Sequence, residues 1–291
     1  MNAPSRRLPD FSARARAEAE RLGRSGLARL LEEGRRWDLA PVVSSGGAVV
    51  FPHIGLRECG AQTSAVVHAC LDSGAERVLL IGVLHALTVE LDDMRRRVAS
   101  GGDPRRELAH GIQGPGLPGR RDWEREFSLL GFLALWEEAA RHRRRVPQLI
   151  VRFPYLAGGD PAGLPGVDEL EELAASGAVI AATADLFHHG LGYDDAPGRS
   201  LAFEAGGLAL ARSAIEEGFE LLARGDHAGY QDHSVATKSD ARDVGQLVRH
   251  LTGPVEGHIL DLVWRDTSAD YKAGAPTWVA GALVELVPVR S

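Results

Sequence analysis

The feature that most constrains the fold is the alternation of short apolar runs with segments of helical periodicity. The runs "APVVSSGGAVVFPH" (40–53) and "ERVLLIGVLH" (76–85) flank "GAQTSAVVHACLDSG" (60–74), whose apolar residues recur at helical spacing. Continuously apolar strands joined by a helix are typical of a parallel sheet that is covered on both faces. The pattern predicts an α/β fold with a central, mostly parallel sheet and helices on both faces.

The alternation continues along the chain, and no internal repeat or low-complexity linker interrupts it. Further helices are predicted at 127–143, 167–177, 199–226 and 241–253. Further strands are predicted at 146–156, 178–190, 257–270 and 277–289. The stretch 99–122 is rich in Gly and Pro and is expected to be a substrate-facing loop. We expect a helical extension over 1–39 and one α/β metal-binding domain over 40–291.

The charge and cysteine content of the chain limit the kinds of partner that we expect it to bind. The net charge of −7 over 291 residues argues against nucleic-acid binding, which needs a basic surface. The two cysteines cannot form a disulfide framework, and no CxxC spacing is present for zinc. Because the sequence lacks a secretory h-region and a long apolar run, we expect a cytoplasmic protein without membrane contact. The amphipathic helix predicted at 12–35 is compatible with a homodimer.

Histidines follow three of the predicted strands. His53 ends the first run, His85 ends the second, and Asp185 and His188, with His189, follow "AVIAATA". Ligands of open α/β sheets bind beyond the carboxyl ends of the parallel strands, so we expect these side chains to converge. Two neutral imidazoles and one carboxylate, with open coordination positions, suit non-haem Fe(II). Zinc, manganese and copper remain alternatives.

Four segments carry a family likeness. "FPHIGL", "LLIGVLHAL", "ATADLFHHGLGY" and "YKAGAPTWVAGALVEL" resemble the Memo family, and the likeness covers roughly residues 45 to 286. It implies the fold of the class III extradiol dioxygenases, which open catechol-type rings with Fe(II) and O2. It also implies that His53 and His85 bind the metal. Asp185 and His188 correspond to a polar pair beside the metal, with acid/base or substrate-orienting roles, and His189 stands where the family often has tyrosine.

The sequence differs from the family at the position of a third residue of the metal site. Memo proteins usually offer a cysteine near the start of a late helix, and the likeness places that position near Ser239. Asp240 is adjacent and Asp243 lies one turn further, so either carboxylate could complete a set of two histidines and one carboxylate. Alternatively, both aspartates cap the N-terminus of a helix. Phe127 also replaces a family histidine.

The residues and the resemblance together lead to three functional hypotheses. The first is an Fe(II)-dependent dioxygenase that cleaves the ring of an aromatic or catecholic small molecule with O2, using His188, Asp185 and His189 as catalytic groups. The second is a catalytically vestigial protein that binds a metal or ligand without turnover. The third is a metal-dependent hydrolase, which would use zinc and need no oxygen.

Overall fold

Eight strands form one mixed sheet in the computed structural model, which describes residues 10–289. The strands are β1 (Ala48–Phe51), β2 (Arg77–Ile81), β3 (Gly111–Gln113), β4 (Gln148–Tyr155), β5 (Val179–Thr183), β6 (Phe187–Gly190), β7 (Val255–Asp266) and β8 (Thr277–Pro288). The helices are α1 (Phe11–Gly34), α2 (Ala40–Ser44), α3 (Leu56–Asp72), α4 (Val89–Ala99), α5 (Leu130–Ala140), α6 (Val167–Ala175), α7 (Gly207–Ala223), α8 (His227–Ala236), α9 (Ala241–Thr252) and α10 (Ser268–Tyr271).

The sheet is parallel only at its centre. Strands β4, β2, β5 and β1 are parallel neighbours in that order. At one edge β3 pairs antiparallel with β4, and at the other β8 pairs antiparallel with β1, β6 and β7. The expected mostly parallel sheet is therefore corrected to a mixed one. The short connection from β7 to β8 is the physical reason, because parallel neighbours need a long crossover.

Helices cover both faces of the sheet, as the alternating pattern predicts. Successive strand residues point to opposite faces, so Val50 joins one hydrophobic core and Val49 the other. The first core contains side chains of α6, α7, α8 and α9, and the second contains side chains of α1 to α5. These cores confirm an α/β architecture built as a single domain.

Three sequence predictions of local structure are wrong. Residues 40–53 do not form one strand, because Pro41 begins the short helix α2 and the strand is confined to Ala48–Phe51. The strand predicted at 178–190 divides at Asp185, where the chain leaves β1 and begins to pair with β8. The stretch 99–122 is not a continuous loop, because it contains β3, which pairs with β4.

The helix predicted near the N-terminus is present as α1, although residues 1–9 of the predicted extension lie outside the described range. Gly23 leaves the helical conformation (φ 57°, ψ −175°) and divides α1 into two segments. Leu27, Leu30 and Leu31 of the second segment are buried in the core shared with α3 and α5. The apolar face of α1 therefore packs within the chain.

None of the helices within residues 10–289 is both long enough and apolar enough to cross a membrane.

Candidate metal centre

One carboxylate oxygen lies at the centre of a cluster of histidines. Asp240 directly precedes α9, and its Oδ2 is 3.3 Å from Nε2 of His85. The same oxygen is 3.6 Å from Nε2 of both His53 and His188. His53 follows β1, His85 follows β2 and His188 lies in β6, so the sheet brings together residues that are far apart in sequence.

The spacing of these atoms fits a bound metal ion. Two ligands that are each about 2.0–2.2 Å from one ion lie roughly 3–3.6 Å apart, which matches the separations at Asp240 Oδ2. Nε2 of His53 is buried and has no hydrogen-bond partner within residues 10–289. A bound metal would satisfy this atom, because the unprotonated nitrogen of an imidazole is a good metal ligand. Two groups of described residues could hold a metal. The first is His53, His85 and Asp240, and the second is Asp185, His188 and Asp240.

A hydrogen-bond chain fixes the tautomer of His53. Its Nδ1 is 3.1 Å from Oγ1 of Thr183, and that hydroxyl donates its own hydrogen to the carbonyl oxygen of Phe51 at 2.8 Å. Because the hydroxyl hydrogen is already used, Oγ1 accepts from Nδ1–H of the imidazole. Nε2 of neutral His53 therefore carries a lone pair, as a metal ligand must.

Glu126 has the same role for His85. Nδ1 of His85 donates to Oε1 of Glu126 at 2.8 Å, and the amide of His85 donates to Oε2 at 2.6 Å. The amides of Phe127 and Ser128 also donate to Oε1. Burial disfavours the charge of Glu126, but His85 and these amides outweigh it and hold the pKa of Glu126 below its ordinary range. A carboxylate behind a ligating histidine is the usual outer partner of a metal site.

Electrostatics at the cluster favour a positive charge. Burial alone would lower the pKa of His85, but Glu126 and Asp240 outweigh it and raise that pKa to about 10. Burial likewise opposes ionisation of Asp240, yet His188 and His85 hold its pKa well below the ordinary range. The field that favours a proton on His85 would also favour a divalent cation.

The two candidate carboxylates point in different directions. Asp240 faces the histidines, and its side chain makes no capping hydrogen bond to α9. Asp243 lies one turn further along α9, where Oδ1 accepts from the amide of Ala157 at 2.8 Å and Oδ2 is 3.5 Å from Arg95. This turn of the helix places Asp243 outside the two groups of described residues that could hold a metal.

Asp185 supports His53 from the other side. Its Oδ1 accepts from the amide of His53 at 2.9 Å, and its Oδ2 is 3.6 Å from Nε2 of the same residue. Gly281 of β8 permits this approach, because a Cβ there would lie 2.4 Å from Cβ of Pro52 and 3.1 Å from Oδ1 of Asp185. Asp185 and His188 are thus both placed at the cluster.

His189, the third residue expected to be catalytic, lies outside the cluster. Neighbouring residues of a strand face opposite sides of the sheet, so His189 points away when His188 points inward. Its Nδ1 is 3.0 Å from Oδ2 of Asp195, and its Nε2 accepts from the amide of Leu201 at 2.9 Å. Both ring nitrogens therefore have structural partners.

Aromatic rings flank the cluster. The ring of Phe127 stacks on His85 with centroids 4.4 Å apart, and Phe11 of α1 stacks on Phe127 at 5.0 Å. Tyr193 contacts His188 edge-on at 4.8 Å. A cavity of about 520 Å³ lies beside His53 and Phe127 and extends beneath α1. The lining of this cavity includes His53 but not His85, His188 or Asp240.

Sequence reasoning missed the role of Glu126, since the residue belongs to a turn-rich segment and no spacing links it to His85. The available signal was the position of Glu126 directly before Phe127, where the resemblance implies a histidine. It also missed Arg95, which lies 3.5 Å from Asp243, and Arg242, which directly precedes Asp243. Burial and the charge of Arg95 lower the pKa of Arg242 to about 10.

The chain was compared with protein-family models and with curated proteins. No protein-family model matches the chain, and a search of curated proteins found no matching sequence. The fold and the site define an α/β protein with a mixed sheet and a histidine–aspartate cluster that could hold a metal.

Proposed function

We propose that this protein is a non-haem Fe(II)-dependent dioxygenase that opens the ring of an aromatic or catecholic small molecule with O2. The observation that supports it is the donor set, since two imidazole Nε2 atoms, of His53 and His85, lie within 3.6 Å of one oxygen of Asp240. Two histidines and one carboxylate with open positions are typical of oxygen-activating Fe(II) sites. A Memo-like domain with a class III extradiol dioxygenase-like fold is part of the same proposal.

Some residues of the cluster would bind the metal, and another would transfer protons. His53, His85 and Asp240 would hold the ion. Bound Fe(II) supplies a centre at which a chelating catechol and O2 are brought into one geometry. His188 would accept a proton from a substrate hydroxyl at Nε2 and return it later, as an imidazole can near neutral pH. Asp185 would fix the backbone of His53 through its Oδ1.

The surroundings of the cluster support an aromatic substrate. Phe127 and Tyr193 place aromatic rings on two sides of the cluster, next to His85 and His188 respectively. Aromatic rings pack favourably in stacked or edge-to-face arrangements, which would orient a planar substrate over the donors.

Oxygen uptake by the Fe(II)-loaded protein tests this function. The protein is loaded without air and then given O2 with a panel of catechols; we expect uptake that depends on both iron and catechol. His53→Ala should abolish it, whereas His258→Ala, which removes an exposed histidine from β7, should not. Iron binding without uptake on any catechol would instead support a vestigial binding protein. Equal behaviour of His53→Ala and wild type would contradict the proposal.

A second candidate, a metal-dependent hydrolase, is favoured by the third histidine. Nε2 of His188 is as close to Asp240 Oδ2 as Nε2 of His53 is. His188 belongs, with Asp185 and Asp240, to a second group that could hold a metal, and histidine and carboxylate ligands can bind a catalytic zinc that activates a water. This candidate predicts zinc in protein purified without air, and turnover that does not consume oxygen.

A further inference from the structure

Two arginine side chains next to the cluster have hydrogen-bond donors that no described residue uses. Arg95 belongs to α4 and Arg242 to the first turn of α9. Nε of each is buried and has no hydrogen-bond partner within residues 10–289. We propose that Arg95 and Arg242 form an anion-binding subsite beside the metal centre that binds a carboxylate group of the substrate.

Arg95 is fixed close to His85. One of its terminal nitrogens donates to the carbonyl oxygen of Leu84, the residue before His85, at 3.0 Å. The same nitrogen is 3.5 Å from Oδ2 of Asp243, and the guanidinium lies 4.7 Å from the ring centroid of Tyr155. These contacts hold the planar group in place while its Nε remains unused.

Arg242 lies close to Asp240 and has no such partners. Within residues 10–289 its side chain makes no hydrogen bond and no ion pair, although it lies in the field of Arg95, Asp243 and Asp240. A buried N–H group without a hydrogen-bond partner, such as Nε of Arg242, is unfavourable, and it is stabilised when an anion accepts its hydrogen. An arginine with only a structural role would be expected to have its buried Nε hydrogen-bonded within the fold, whereas Nε of Arg95 and of Arg242 is not.

The charges at the subsite favour a monoanion. The two guanidinium groups carry two positive charges, and the carboxylate of Asp243 balances one of them. The carboxylate of Asp240 does not balance the other, because it faces the three histidines. The planar donors of arginine match the two oxygens of a carboxylate. A carboxylate on an aromatic ring fits both the net charge and the neighbouring aromatic walls, whereas a phosphate dianion would exceed the charge.

Because the ligand is taken to be the substrate, this subsite rests on the proposed function. It is tested with a matched pair of probes: a dihydroxybenzoate, and the methylcatechol in which a methyl group replaces the carboxylate. Dissociation constants are measured without oxygen, by calorimetry on Fe(II)-loaded protein. We expect wild type to bind the dihydroxybenzoate about 10- to 100-fold more tightly, the range expected of hydrogen bonds to a charged group.

Variants assign the preference to residues. Arg242→Gln should remove it and leave the affinity for the methylcatechol unchanged, and Arg242→Lys should retain part of it. Arg96→Gln is the control, since Arg96 is exposed on the same helix as Arg95 and pairs with Asp92. Circular dichroism melting confirms that each variant is folded before its dissociation constants are compared.

Each outcome bears on one claim or on both. Equal affinity of wild type for the two probes, or an unchanged preference in Arg242→Gln, would overturn the subsite. Bound iron without oxygen consumption would overturn the dioxygenase function, while the ratio of dissociation constants still decides the subsite. Failure to bind Fe(II) at all would overturn both.

Discussion

At the scale of single residues, the outer partners of the histidines explain why these imidazoles direct their Nε2 atoms to one point. Thr183 orients His53, and Glu126 orients His85. Each partner accepts the hydrogen of Nδ1, so Nε2 is left for a metal. Loss of Glu126 should therefore weaken metal binding, although Glu126 is not itself a metal ligand.

Glu126→Gln should weaken metal binding by about 10- to 100-fold, the usual effect of removing an outer partner of a ligating histidine. The amide keeps the shape of the side chain but cannot accept hydrogen bonds at both of its terminal atoms. Titration with a chelator of known affinity measures the change. Glu124→Gln is the matched control, because Glu124 is exposed in the same turn and pairs with Arg121. An unchanged metal affinity in Glu126→Gln would contradict the assigned role.

The two thiols should be unreactive in the folded protein. Burial raises the pKa of Cys59 and of Cys70 to about 12. At pH 8 only about one thiol in ten thousand would be ionised, and only the thiolate reacts rapidly. A colorimetric thiol reagent should therefore detect the two cysteines only after denaturant is added. Rapid labelling of native protein would show that one of the thiols is accessible.

The same thiols have a consequence for stability at high pH. The folded state holds their protons above the ordinary thiol pKa, whereas the unfolded state releases them there. The free energy of unfolding should thus fall as the pH rises above about 9, the ordinary thiol value. Cysteine-to-alanine variants of both positions should reduce this dependence in denaturant titrations.

At the scale of elements, the site depends on a change of partner in the sheet. The amide of Ala184 still donates to Phe51 of β1, whereas the amide of Leu186 donates to Ala280 of β8. Asp185 lies between these two pairings and turns toward His53. The change of partner therefore brings Asp185 and His188 to the ends of the parallel strands.

Gly281 of β8 allows that change of partner, so Gly281→Ala should disturb the cluster. The added Cβ would meet Pro52 and Asp185, the neighbours of His53. We expect a loss of about 1–3 kcal/mol in the free energy of unfolding, typical of overpacking, together with weaker metal binding. Gly198→Ala is the control, since a Cβ there meets nothing within 4 Å. A fully stable Gly281→Ala with normal metal affinity would contradict this role.

The sequence allowed only part of the site to be predicted. Residues at strand ends, His53 and His85, were accessible because the apolar runs stop at recognisable points. Glu126 was not, since its hydrogen bonds to His85 depend on how a turn-rich segment folds back. The choice between Asp240 and Asp243 also needed the structure, because the start of α9 decides which side of the helix each residue occupies.

At the scale of the whole molecule, two hydrophobic cores hold a mixed sheet whose parallel centre ends at the cluster. The alternation of apolar runs predicted the α/β class and the two covered faces. It did not predict the antiparallel strands β3 and β6, because three or four residues give too short a pattern to fix direction. Since no family model or curated sequence matches, the case for a metal protein depends on the geometry of the cluster itself.

Metal content is the most direct test of this account, measured by elemental analysis of wild type, Asp240→Asn and Asp243→Asn purified without air. The account predicts about one equivalent of a divalent metal in wild type and almost none in Asp240→Asn, which loses the shared carboxylate. Asp243→Asn should retain its metal, because Asp243 pairs with Ala157 and Arg95 instead. A wild-type protein that binds no added divalent metal, or an Asp240→Asn variant that binds as much as wild type, would contradict it.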